Sequence, residues 1–306
     1  MQSTADTLIT IRDYIRWGAS QFSEAKLFYG HGTATAIDDA AALVLYSLHL
    51  PYDLAECYFS SCLTFSERVK VINLIERRVE ERVPTAYLTH EAVFMGLKFY
   101  VDERVLVPRS PIAELITDRF VPWVDEEQVD NILDLCTGSG CIAIACAVAF
   151  PYAAVDAVDL STDALEVAKL NIEKHELGAQ VIAHQSDLFS DLPAKKYDVI
   201  VSNPPYVAIS EWQSLPDEFH AEPEMGFTGG ETGLDLVLKI LVQAADYLAE
   251  QGILVVEVGS SAETLQNLFP EVPFCWLDFE NGGDGVFLLT VEQVKQFNIT
   301  FKRALG

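Results

Sequence analysis

Apolar residues recur at two different spacings along the 306-residue chain, and the change falls near residue 90. Before it, Leu8, Ile11, Ile15 and Phe22 follow one another at helical intervals, as do Val69, Ile72, Ile75, Val79 and Val83. A stripe of that period buries one face of a helix. Residues 1–90 therefore read as a helical domain, with Pro84 closing its last long helix because a proline ring cannot continue the hydrogen-bond ladder. Next, "AVFMGLKFYVDERVLVP" alternates Leu97, Phe99 and Val101 before a polar Asp102-Glu103-Arg104 turn and a second apolar run. Alternation on both sides of a turn predicts a β-hairpin, placed at 91–108 as the joint between two domains.

From residue 131 short apolar runs take over: "NILDLC", "AAVDAVDL", "VIAHQSD", "YDVIVSN" and "GILVVEVG", separated by stretches of helical period. Strands alternating with helices predict an α/β fold with a mainly parallel sheet covered on both faces. The last two runs, "PFCWLDF" and "DGVFLLT", are joined by "ENGG" and predict an antiparallel hairpin at the end of a domain spanning 109–306.

Composition narrows the class. Half of the residues are hydrophobic, enough for a large core, and no run of 18 apolar residues or leader-like start appears, which predicts a soluble cytoplasmic protein without a membrane partner. Six cysteines (Cys57, Cys62, Cys136, Cys141, Cys146, Cys275) form no CxxC pair; they read as packing thiols, with no metal site expected. The net charge of −26 is uneven: 8 basic and 11 acidic residues up to residue 90, against 12 and 35 after it. Such a surface repels phosphate backbones and attracts basic proteins.

Candidate chemistry begins at "DLCTGSGCIA". Gly138, Gly140 and Ala143 fit the glycine pattern that lets a ligand approach a helix N-terminus at the end of a strand, and Asp159 ends the next strand, where a ribose diol would bind. A dinucleotide would fit so far, but Asp134 at the mouth of the loop would repel its pyrophosphate. The same acid suits a ligand with an ammonium and a sulfonium, as in S-adenosylmethionine. Asp187 in "SDLF" is placed to accept from the adenine amine, with Leu188 against the ring. The expected cofactor set is thus Asp134, Cys136, Thr137, Gly138, Ser139, Gly140, Asp159, Asp187, Leu188 and Asn203.

The end of the fourth strand of the sheet, "SNPPY", carries the second signal. Two prolines hold Asn203-Pro204-Pro205 extended and offer no N–H, so the Asn203 side-chain oxygen and the Pro204 carbonyl form an acceptor pair. That pair matches a planar NH2 group, and Tyr206 can cover its face. The target would be an amide or an aromatic amine, whose delocalised lone pair needs positioning and aligned dipoles rather than a covalent nucleophile. Asn203, Pro204 and Tyr206 are the expected catalytic residues, with Pro205 in the substrate-binding set.

These motifs, with "AEPEMGFTGGETGLDL" (221–236), "VEVG" (256–259) and "PTAYLTHEAVFMGLKFYVDERVLVPRSP", resemble the class I methyltransferases that modify glutamine side-chain amides, over nearly the whole chain. The resemblance implies a Rossmann-like AdoMet-dependent domain. Ser110-Pro111-Ile112-Ala113-Glu114 replaces the Pro-Glu-Thr-Glu typical of the branch acting on release factors. With "IRWGASQFSEAKLFYGHGT" (15–33) and "FENGGDGVF" (279–287), it looks like the branch acting on large-subunit ribosomal protein L three. The expected partner is that basic ribosomal protein, with ribosomal assembly intermediates as a further candidate. The Ser110–Glu114 segment and the helical domain are expected to select it, away from the methyl-transfer atoms. Alternatives are methylation of release factors, a nucleic-acid adenine methyltransferase, and an inert ribosome-assembly binder. The few lysines and arginines after residue 90 weigh against DNA or RNA.

Overall fold

In the computed structural model, which describes residues 2–305 (side chains from residue 4), the chain divides into two compact units. The first comprises residues 1–92, 101–103 and 216–222, and the second comprises 93–100, 104–215 and 223–306.

In the first unit, helices Ile11–Glu24, Ala36–Ser47 and Phe65–Glu80 bury Tyr14, Phe22, Leu43, Val44, Ile72 and Ile75. Thr10 and Thr64 start two of them. Each threonine hydroxyl accepts from the N–H three residues on, while Asp13 or Glu67 reaches back to the threonine N–H, satisfying donors a helix leaves open. The third helix stops at Glu80, before the predicted end. Arg82 has φ +57°, a left-handed turn that ends the ladder and leaves Val83 outside it.

Charges are also buried here. Arg78, 1% exposed, places Nε 2.9 Å from Asp39 and donates to the Phe28 carbonyl at 3.0 Å. The Glu218 carboxylate, from the 216–222 segment, accepts from Arg82 at 3.1 Å and from the Phe28 N–H at 3.0 Å, and lies 3.9 Å from Arg78 Nη1. Glu222 lies 2.9 Å from His31 Nε2, close but poorly aligned for a hydrogen bond. A buried ion is tolerated only when paired, so these partners fix 216–222 in the helical unit.

The hairpin, all but Ala92 in the second unit, has a different register from the one predicted. Ala92–Phe94 (β1) pairs with Leu97–Phe99 (β2), and the turn is Met95-Gly96, not Asp102-Glu103-Arg104. Met95 and Gly96 both have positive φ, +50° and +75°, the geometry whose twist matches a two-residue hairpin.

Seven strands form the main sheet: Asn131–Leu135 (β3), Ala154–Asp159 (β4), Val181–Gln185 (β5), Tyr197–Ser202 (β6), Leu248–Glu257 (β7), Cys275–Leu277 (β8) and Val286–Thr290 (β9). Their order is β5-β4-β3-β6-β7-β9-β8. The first five are parallel, and β9 runs antiparallel to β7 and β8. Successive residues of β3, β6 and the end of β7 are nearly all buried, so both faces are covered. Helices Cys141–Ala149 and Thr162–Lys174 pack on β3, β4 and β5, and Val291–Leu305 packs on β7 and on Asp235–Gln243. This is the mainly parallel α/β arrangement, ending in an antiparallel hairpin, expected from the strand runs. Chain order turns back between β3 and β6, and ligand sites in such sheets lie outside the carboxyl ends of the strands at that reversal.

Candidate active site

The glycine loop leaves β3 at this reversal. Cys136 and Gly138 have φ +60° and +54°, and Gly140 has φ +81° as it opens the Cys141–Ala149 helix. A Cβ built on Gly138 meets nothing within 4 Å, whereas one on Gly140 falls 3.3 Å from the Ala168 Cβ. Gly138 thus borders open space and Gly140 a close helix. Cys136 and Leu188, both in the expected cofactor set, are non-glycine residues in left-handed conformation, strain that a fold tolerates where the surroundings impose it.

The acids divide into two kinds. Asp134 is fully buried under the loop, where Oδ2 accepts from the Thr137 hydroxyl (2.6 Å) and the Ala143 N–H (3.1 Å). Its Oδ1 is buried with no hydrogen-bond partner among the described residues. Burial pushes this carboxyl up to about 7, against the pull of those two hydrogen bonds. Asp159 is partly open at the end of β4 and accepts from the Gly138 N–H and the Ser161 N–H, both at 2.9 Å. Burial raises its pKa as well. Asp187 is exposed, 3.7 Å from Lys239. Leu188 lies in the core cluster, 4% exposed, so little of its side chain is open to a ligand. Ser139 is buried, and its carbonyl accepts from Asn171, which also bonds both backbone groups of Tyr100.

The Asn203–Tyr206 turn stands beside this loop. Ser202, paired with Leu135 across β6 and β3, donates its hydroxyl to the Leu135 carbonyl at 2.9 Å, so Asn203 emerges next to Cys136. Neither the Asn203 side chain nor the Pro204 carbonyl has a hydrogen-bond partner among the described residues. Everything beyond them is tied down. Ser261 donates to the Tyr206 carbonyl at 2.8 Å, Val207 pairs with Thr228, and the Tyr206 hydroxyl donates to Glu257 at 2.9 Å. The glycines of the "TGGETG" and "VEVG" stretches permit this grip. A Cβ on Gly229 would fall 2.5 Å from the Pro205 carbonyl oxygen, and one on Gly259 2.5 Å from the Tyr206 ring. What remains is a pair of acceptors without a partner among the described residues, Asn203 half-buried and Pro204 buried, on a mount that its neighbours hold in place.

Comparison with known proteins bears on what uses such a mount. A family model described as methyltransferase small domain matches residues 116–220. A ribosomal protein uL3 glutamine methyltransferase from Francisella tularensis subsp. tularensis is 44% identical over 303 residues, 99% of this chain and 96% of its own. One of the same description from Xanthomonas campestris pv. campestris is 50% identical over 293 residues, 95% and 94% of the two chains. The chain belongs to the uL3 glutamine methyltransferases. It is an enzyme, and its α/β sheet is the methyltransferase domain of that family. Among solved structures, a methyltransferase from Pyrococcus furiosus has a TM-score of 0.47 at 20% identity, covering 64% of this chain and 89% of that one.

In this methyltransferase the branch-marking residues are tied to other parts of the second unit. Ser110, the first residue of the segment expected to select the client, is buried and donates to Glu257 at 2.5 Å. Glu114 accepts from the Glu280 and Asn281 N–H groups at 2.9 and 2.8 Å. A Cβ on Gly283 would fall 2.8 Å from Pro111, so the 110–114 and 279–287 segments form one block. The Arg109 guanidinium lies 5.5 Å over the Phe227 ring. Burial raises the Glu257 carboxyl, while Ser110, Tyr206 and the Arg109 charge act the other way. Sequence reasoning noted Glu257 only as part of a motif; the partners that give it a role are 147 and 51 residues away. The cysteines also depart from expectation. Cys141 and Cys146 are packed, with burial pushing the Cys141 thiol up to about 12, but Cys57, Cys62 and Cys275 are exposed.

Proposed function

We propose that this methyltransferase transfers a methyl group from S-adenosylmethionine to the side-chain amide nitrogen of one glutamine in large-subunit ribosomal protein uL3. The observation that carries the reading is the pair of unpartnered acceptors, Asn203 and Pro204, set beside the glycine loop. The methyl donor fits the loop: Asp134 keeps an orphaned carboxylate oxygen for a cationic ligand, Asp159 stands at the ribose position, and Gly138 leaves room. S-adenosylmethionine supplies an electrophilic methyl on a sulfonium. The chain supplies the rest. The Asn203 oxygen and the Pro204 carbonyl each accept one N–H of the target amide, pushing electron density onto its nitrogen and fixing its plane. Tyr206 covers the face. As the nitrogen gains positive charge both hydrogen bonds strengthen, so the gain is largest in the transition state.

The client follows from the relatives' names and from charge. The acidic excess after residue 90 suits a basic ribosomal protein and speeds its encounter. The helical unit is the proposed client-recognition part. A cytoplasmic location goes with this client; no helix among the described residues is long and apolar enough to cross a membrane. Given unmethylated uL3, a release factor and labelled S-adenosylmethionine, label should enter a single glutamine of uL3. Preferential labelling of the release factor would reassign the client. Cofactor binding without transfer to either protein would leave an inert binder.

Asp134 adds a pH dependence. Its pKa in the folded protein is raised to about 7, so the unliganded protein holds this proton below that pH, whereas a bound cation favours the carboxylate. Binding then releases a proton, and affinity for S-adenosylmethionine should fall roughly fivefold from pH 7 to pH 6 by linkage. Calorimetry in two buffers of different ionisation enthalpy measures the released proton directly. A flat affinity across this range would remove Asp134 from the cation site.

A further inference from the structure

The Tyr206 side chain is held at both ends, at its hydroxyl by Glu257 and under its ring by Gly259. Its hydroxyl donates to Glu257 Oε1 at 2.9 Å. The other oxygen, Oε2, accepts from the Ser110 hydroxyl at 2.5 Å, and Ser110 Oγ accepts in turn from the Ile112 N–H at 3.2 Å. That last bond occupies a lone pair of the serine and directs its proton toward Glu257. The ring rests on Gly259, where a Cβ would come 2.5 Å from one ring carbon and 2.8 Å from the next. Gly285 donates space in the same way: its carbonyl accepts from the Val258 N–H at 2.7 Å, and a Cβ on it would come 2.7 Å from the Gly259 Cα. Glu257 itself is 5% exposed.

We propose that Glu257 is a positioning residue for methyl transfer, oriented by Ser110, that locks the Tyr206 ring as one wall of the target slot and takes up the only donor the phenol has. A phenol has a single O–H. With that proton committed to Glu257, Tyr206 offers the slot a π-face and no hydrogen-bond donor. A donor there would compete for the lone pair that must attack the methyl group. The carboxylate therefore selects for a planar, conjugated NH2 target and acts through Tyr206 without touching the reacting atoms. This inference rests on the reading that Tyr206 covers the target amide.

Glu257→Gln keeps the shape but replaces one acceptor oxygen by an NH2 group, and Tyr206→Phe keeps the ring but removes its tether. Each should lower kcat on uL3 about tenfold, the lower end for a hydrogen bond to a charged group. KM for uL3 and the Kd for S-adenosylmethionine should stay within about twofold, because the residues act on one step rather than on binding. The double variant should be no slower than the slower single, the mark of two groups working as one unit. Ser110→Ala should show a smaller loss of kcat alone, and it covers the case in which Glu257→Gln does not fold. Calorimetric stoichiometry of cofactor binding counts the folded sites in every preparation. Parent kcat in Glu257→Gln, multiplying losses in the double variant, or loss of cofactor affinity in step with kcat would each overturn the proposal. If Asn203→Ala also runs at the parent rate, the amide slot itself is wrong. If Asn203→Ala is slow and Glu257→Gln is not, only the present inference fails.

Discussion

Asn203→Ala should lower kcat by ~10²–10³, the usual loss when one preorganised polar contact to a charging atom is removed. The structure sharpens the reason. The Asn203 side chain has no hydrogen-bond partner among the described residues, while Ser202 before it and Tyr206 after it are held by hydrogen bonds. The variant should fold and bind S-adenosylmethionine with a modest change, since removing an unpartnered, partly open amide leaves no buried group stranded. Asn203→Asp is the harder test. Its carboxylate can accept, yet it adds a negative charge near the sulfonium, stabilising the reactant cation whose charge methyl transfer disperses. It should be slow too, but less so than alanine. Single-turnover transfer to uL3 separates this step from binding and release. Parent rates in both variants would reduce Asn203-Pro204-Pro205-Tyr206 to a turn.

Asp159→Ala should weaken S-adenosylmethionine binding by about 10- to 150-fold, the equivalent of one charge-assisted hydrogen bond of ~1.5–3 kcal/mol. Two effects act together. The ribose loses its acceptor, and the Gly138 and Ser161 N–H groups, each 2.9 Å from this carboxylate, lose the group that ties the glycine loop to the start of the next helix. Asp159→Asn keeps one oxygen and should lose less. Calorimetry on the parent and both variants, with circular dichroism to check the fold, decides it. Unchanged affinity in Asp159→Ala, or tight NAD binding by the parent, would remove the cofactor assignment.

Much of the second unit was legible because its signals are local. A strand buried on both faces must be apolar at consecutive positions, and all seven runs from "NILDLC" to "DGVFLLT" are strands of one sheet. That the chain leaves the strand at Asn203-Pro204-Pro205 was legible for the same reason, since proline stiffness acts on its immediate neighbours. Local chemistry misled where a backbone conformation overrode residue preference. Met95 takes a left-handed φ that methionine does not favour, and the turn fell there rather than at the polar Asp102-Glu103-Arg104. Long-range charge was not legible at all. Arg77 and Arg78 are adjacent and chemically identical, yet Arg77 pairs with Glu81 at the surface and Arg78 is buried against Asp39. Nor does periodicity say that Ser110 will meet a carboxylate 147 residues later.

The 216–222 segment has a consequence for how the chain is made. Synthesis runs from the amino end, so Phe28 and Arg82 leave the ribosome long before Glu218, which follows them by 190 and 136 residues. At about 5–20 residues per second, that interval is on the order of 10 s. Throughout it, the nascent helices offer Arg78 only Asp39 and the Phe28 carbonyl, and the Phe28 N–H lacks its carboxylate. The part of the protein translated first is therefore among the last to be completed, only after β6 and the Asn203–Tyr206 turn have been polymerised. A chain terminated after residue 215 does not yield a finished helical domain with a fragment attached. It yields a helical domain waiting for two glutamates.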